Sequence, residues 1–122
     1  MTPERLAELL AERLRECLPA GFRVEAKGAI LWYHREPAVG ESAGTDIRVN
    51  FDTEEPLTER IRWVSELALG DLQDFVDEQT ASPWPGEDRV PRAHAEVSGS
   101  KIHLWYGDTK SPTLNLRPID ID

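Results

Sequence analysis

The chain has a single cysteine, Cys17, in 122 residues, so no intramolecular disulfide can form and a reducing, cytoplasmic setting is expected. It lacks any apolar run longer than a few residues, which excludes a helical membrane span. Met1 leads straight into Thr2-Pro3-Glu4-Arg5 without a basic segment and apolar core, so no secretory leader is expected. Positive charge is also scarce. Fourteen Lys and Arg face 23 Asp and Glu, a net charge of -9, and the cations are interspersed rather than clustered. Such a surface repels phosphate backbones and anionic lipid, leaving a neutral or basic protein as the better partner.

Signatures of chemistry are missing as well. There is no glycine-rich nucleotide loop, nucleophile elbow, zinc-protease helix or paired-cysteine motif, and no serine stands beside an evident base. No catalytic residue, cofactor or metal is therefore assigned, and the reading leans away from an enzyme.

What is present suits one globular domain spanning residues 1–122, with 39% apolar and 30% charged positions. Thr2-Pro3-Glu4 reads as a helix cap with proline at the first helical position, and Leu6, Leu9, Leu10, Leu14, Cys17 and Leu18 then form one stripe up to Pro19. Two strands follow, Phe22–Ala26 and Ala29–Arg35, joined by a Lys27-Gly28 turn that sets Val24 against Leu31 and Arg23 against Trp32. Residues 36–44 read as a mobile loop. Thr45–Phe51 alternates as a strand with Ile47, Val49 and Phe51 inward and Arg48 outward.

Thr53 reads as the cap of a long helix to about Gln79, with Ile61, Val64, Ala68, Leu72, Phe75 and Val76 inward. Trp63, Leu67 and Leu69 widen that face beyond what one sheet covers. After Pro83-Trp84-Pro85-Gly86, the segments Arg92–Val97 and Lys101–Tyr106 form a hairpin around Gly99-Ser100. A last strand runs through Leu114 and Leu116 to Pro118. The expected fold is an α+β two-layer sandwich of order α-β-β-β-α-β-β-β, with two helices on one face of an antiparallel sheet of about six strands.

Alternation then sends His34, His94 and His103 to the sheet face away from the helices, together with Trp32, Trp105, Arg48 and Arg117. Three imidazoles suggest zinc, but each belongs to a different strand and no tight ligand spacing exists. The plain reading is a solvated face, and exposed aromatics rimmed by polar groups mark a contact surface. Trp84 reads as a plug at the core edge. Asp71, Asp74 and Glu78 share a helical stripe that reads as a wet face.

Leu72-Gln73-Asp74-Phe75-Val76-Asp77-Glu78, Pro83-Trp84-Pro85-Gly86, Leu104-Trp105-Tyr106-Gly107-Asp108 and Leu116-Arg117-Pro118-Ile119 together resemble a family of small, functionally uncharacterised proteins from actinobacterial genomes. The resemblance covers most of the chain after about residue 18. It implies a bacterial cytosolic origin and brings no activity, cofactor or site residue. In architecture alone the expected body is also similar to secretion chaperones, which dimerise and hold extended segments, although its final strand and missing closing helix depart from them.

These features favour a non-enzymatic interaction module, chaperone-like or adaptor, that pairs with protein and can homodimerise. Its candidate binding residues are Trp32, His34, Arg48, His94, His103 and Trp105 on the sheet face and Trp63 and Leu67 on the long helix. The alternative is a small-molecule binder or enzyme with a site between the 36–44 loop, Trp84 and the histidine-bearing face.

Overall fold

The Thr2 hydroxyl accepts the Arg5 amide at 3.0 Å, so helix α1 (Pro3–Leu14) begins where the Thr-Pro-Glu signal puts it. Leu6, Leu10 and Leu14, with Ala7 and Ala11, form its buried stripe. The helix stops at Leu14, short of the expected Leu18. Cys17 and Leu18 still pack on the core from the turn that follows. The computed structural model describes residues 1–36, 41–86 and 89–121.

Two glycine-opened hairpins build most of the sheet structure. Strand β1 (Phe22–Lys27) pairs with β2 (Ile30–Arg35), and β4 (Ala93–Ser98) pairs with β5 (Lys101–Gly107). Each two-residue turn starts with a glycine at positive φ, Gly28 at 61° and Gly99 at 62°, a conformation that a side chain disfavours. The second hairpin has the expected register, with Val97 opposite Ile102, Ala95 opposite Leu104 and Ala93 opposite Tyr106.

The first hairpin is shifted by two residues. Its turn is Gly28-Ala29, so Val24 faces Tyr33 and Phe22 faces Arg35. An even shift keeps each side chain on its face, and Val24, Leu31 and Tyr33 stay buried. It does separate Arg23 from Trp32, and Arg23 instead pairs with Glu36 at 3.2 Å.

The expected strand at 45–51 is a strand end followed by a helical turn. Strand β3 (Ser42–Asp46) pairs with β2, and the Asp46 carboxylate accepts the Arg48 amide at 3.1 Å, capping helix α2 (Ile47–Phe51). Ile47 and Phe51, four residues apart, are buried, whereas Val49, expected inward, is 72% exposed. The expected loop shortens accordingly, since Ser42 to Gly44 belong to β3. Residues 37–40 of that loop lie outside the described residues.

Helix α3 (Leu57–Thr80) begins after Pro56 rather than at Thr53, because a residue preceding proline is kept out of the helical region. Thr53 accepts the Glu55 amide at 3.4 Å in a local turn instead of capping the helix. Every residue of the expected inward face is buried, and so is Leu69.

Strand β6 (Pro112–Asn115) and a two-residue strand β7 (Ile119–Asp120) both pair with β5. The fold is α+β, but its strands divide into two antiparallel sheets, β1-β2-β3 and a four-stranded sheet centred on β5, where one sheet of about six was expected. Helix α3 contacts both sheets, and one hydrophobic cluster runs through helices and strands alike.

Candidate functional site

Along β4 and β5, Ala95, Ile102, Leu104 and Tyr106 are buried, so the residues between them turn to the other face. His94 and Glu96 lie there opposite Trp105 and His103. The His94 and Trp105 rings stack, with centroids 5.3 Å apart and planes 19° from parallel. The His94 side of the stack borders a cavity of about 630 Å³, lined also by Arg89, Arg92, Gly107, Ser111 and Thr113. The Trp105 side borders a smaller cleft of about 280 Å³ with Glu96, His103 and Asn115. Trp105 Nε1 is buried there and has no hydrogen-bond partner among the described residues.

The remaining sheet residues lie elsewhere. His34 is on β2, in the other sheet, with Nδ1 2.8 Å from Ser42 Oγ and Nε2 3.0 Å from Glu25 Oε1. That hydrogen bond from His34 holds the Glu25 carboxyl below its usual range. Trp32 lies across Gly44, where an added Cβ would come within 3.1 Å of the indole ring. The three imidazoles therefore do not converge, and the described residues contain no group of three potential metal ligands.

Arg48 is exposed on α2, so its expected place on the sheet face is corrected. Arg117 leaves that face too. Its guanidinium grips Glu16 beyond the end of α1, through bonds of 2.9 and 2.6 Å.

On α3, Trp63 is half exposed and Leu67 half-buried. Gly70 continues that stripe, and among the described residues an added Cβ would meet nothing within 4 Å. Arg62 flanks it, bonded to Glu59 at 2.9 Å and to Glu66. Lower on the helix, the expected wet stripe is only partly wet. Asp71 accepts from Thr45 Oγ1 at 2.6 Å, and burial raises its pKa. Asp77 accepts the Trp84 amide at 2.7 Å, while the Trp84 ring packs edge-on against Tyr106 at 5.4 Å and plugs the core as expected.

Of the eight candidates, the structure brings together His94, His103 and Trp105, and separately Trp63 and Leu67. Sequence reasoning missed Arg89, Arg92, Ser111 and Thr113, most of which sit on connections without periodicity. It missed Gly70 too, although an isolated glycine inside a helix is itself a signal. No helix among the described residues is long and apolar enough to cross a membrane. No family model, curated protein or solved structure matches the chain.

Proposed function

We propose that the protein is a non-enzymatic interaction module of the cytoplasm that self-associates as a homodimer through the outward face of α3. The observation that carries this reading is a half-exposed tryptophan and an open glycine on one stripe, Trp63 and Gly70, with Leu67 between them. A mid-helix glycine costs about 1 kcal/mol relative to alanine, and among the described residues nothing lies within 4 Å of where its Cβ would be. Two such helices laid antiparallel, with a two-fold axis between Glu66 and Leu67, bring Trp63 of each copy over Gly70 of the other. One patch then serves as both knob and hole, as an isologous contact requires.

The sheet tryptophans offer less, because Trp32 is laid over Gly44 and Trp105 is stacked on His94. Burying two indoles and two leucine side chains supplies a few kcal/mol, and repulsion between two chains of charge -9 opposes it. The dimer is accordingly weak and strengthened by salt. Light scattering during size-exclusion chromatography tests this with the parent and Gly70→Leu. At high protein load and high salt the parent is expected to run at a greater mass than the variant, and equal masses for the two at the highest load defeat the reading.

A further inference from the structure

We propose that the cavity beside the His94–Trp105 stack binds a small organic anion carrying a carboxylate or phosphate group. Its lining includes a glycine, Gly107, on the central strand β5, where the pairing with β6 shifts register between Tyr106 and Gly107. Gly107 adopts φ 99°, and its amide donates to Arg92 O at 2.8 Å. A Cβ added there would come within 2.7 Å of Thr113 Oγ1 and 2.9 Å of Thr113 N. A side chain at 107 would therefore displace Thr113, one of the residues that line the cavity.

The walls carry the recognition chemistry. Arg92 and His94 come from the β4 side, Ser111 and Thr113 from the β6 side, and Arg89 from the segment before β4. Two guanidiniums line it in a chain of net charge -9, and among the described lining residues Asp108 carries the opposing carboxylate. That carboxylate is tied to its own loop, with Oδ1 accepting the Lys110 amide at 3.0 Å. Ion pairs among the described residues engage Arg5, Arg13, Arg23, Arg62 and Arg117, and neither Arg89 nor Arg92. Guanidinium forks match carboxylate and phosphate oxygens in pairs, and the two hydroxyls suit a polar body beyond the anion. About 630 Å³ accommodates a metabolite-sized ligand.

The test is an NMR titration of the full chain with sodium phosphate and, separately, sodium malonate, at ionic strength held constant with sodium chloride. The amides of Arg92, Gly107 and Thr113 and the Trp105 indole N–H should shift together and saturate. The Arg89→Gln, Arg92→Gln double variant should weaken binding by at least about tenfold. Saturation by phosphate alone assigns a phosphoryl ligand, and saturation by malonate alone assigns a carboxylate. Shifts that do not saturate with either anion, or that fall away from these residues, overturn the proposal. So does unchanged binding in a double variant with a folded spectrum. The parent titration decides the case by itself should the variant misfold.

Discussion

Tyr33 and Tyr106 donate to consecutive carbonyl oxygens of one helix, Tyr33 to Ala68 at 3.2 Å and Tyr106 to Leu69 at 2.8 Å. Each side chain is fully buried and comes from the central strand of a different sheet. Two hydroxyls therefore fasten both sheets to the same stretch of α3. Removing one leaves the carbonyl its helical partner, so Tyr106→Phe is expected to cost about 1 kcal/mol. Tyr33→Phe should cost more, because its one proton is shared between Ala68 O and Thr45 Oγ1, 2.7 Å away, and Thr45, which donates to Asp71, loses a donor too. Urea midpoints equal to that of the parent would contradict both values.

Burial raises the pKa of both phenols above the ordinary tyrosine value. The unfolded chain ionises its tyrosines near pH 10, whereas the folded chain keeps these two protonated to higher pH. Above pH 10 the unfolded state therefore binds fewer protons, and stability must fall as pH rises. Denaturation in urea across that range should show the loss, and the Tyr33→Phe, Tyr106→Phe double variant should show a shallower one.

Asp71 has the same sign of shift, chiefly from burial and partly from Asp74, against the lowering effect of the Thr45 hydrogen bond. Its folded pKa lies above its unfolded value, so the folded state binds more protons in the window just above the usual carboxylate range. Stability contributed by the protonated form is lost as pH rises through that window. Asp71→Asn keeps an acceptor for Thr45 without the charge. It should raise the urea midpoint at pH 7 and lose that advantage once the parent carboxyl is protonated. A lower midpoint at pH 7 would contradict this.

Desolvation pushes the Cys17 thiol up to about 11, and its Sγ sits 3.3 Å from Leu14 O, to which it donates. The thiolate fraction at pH 8 is then roughly a hundredfold below that of a free thiol. Labelling with a disulfide reagent should be slowed by a similar factor in the native protein and restored in denaturant. Native labelling at the free-thiol rate would show the site to be open.

The second hairpin was fully legible, because strict alternation around Gly99-Ser100 leaves one register that buries Ile102, Leu104 and Tyr106. The same alternation puts His94, His103 and Trp105 on one face. The stretch Ile47 to Phe51 was not legible, since its apolar spacing satisfies a strand and also an i, i+4 helical pair. What decides it is the Asp46 cap, with the Ile47 amide tied to Ala29 O at 2.9 Å. The division into two sheets depends on how α3 serves both, which local pattern does not encode. For the same reason alternation alone does not separate His34 and Trp32, on β2 of the three-stranded sheet, from His94, His103 and Trp105 of the other.

The central claim concerns the outward stripe of α3, and sedimentation equilibrium over a range of protein and salt concentrations tests it most directly. The parent should move from 13.8 kDa toward twice that mass as concentration rises, more readily at high salt, while Trp63→Ala stays monomeric. A parent that remains at monomer mass throughout, or a Trp63→Ala variant that dimerises equally well, contradicts it.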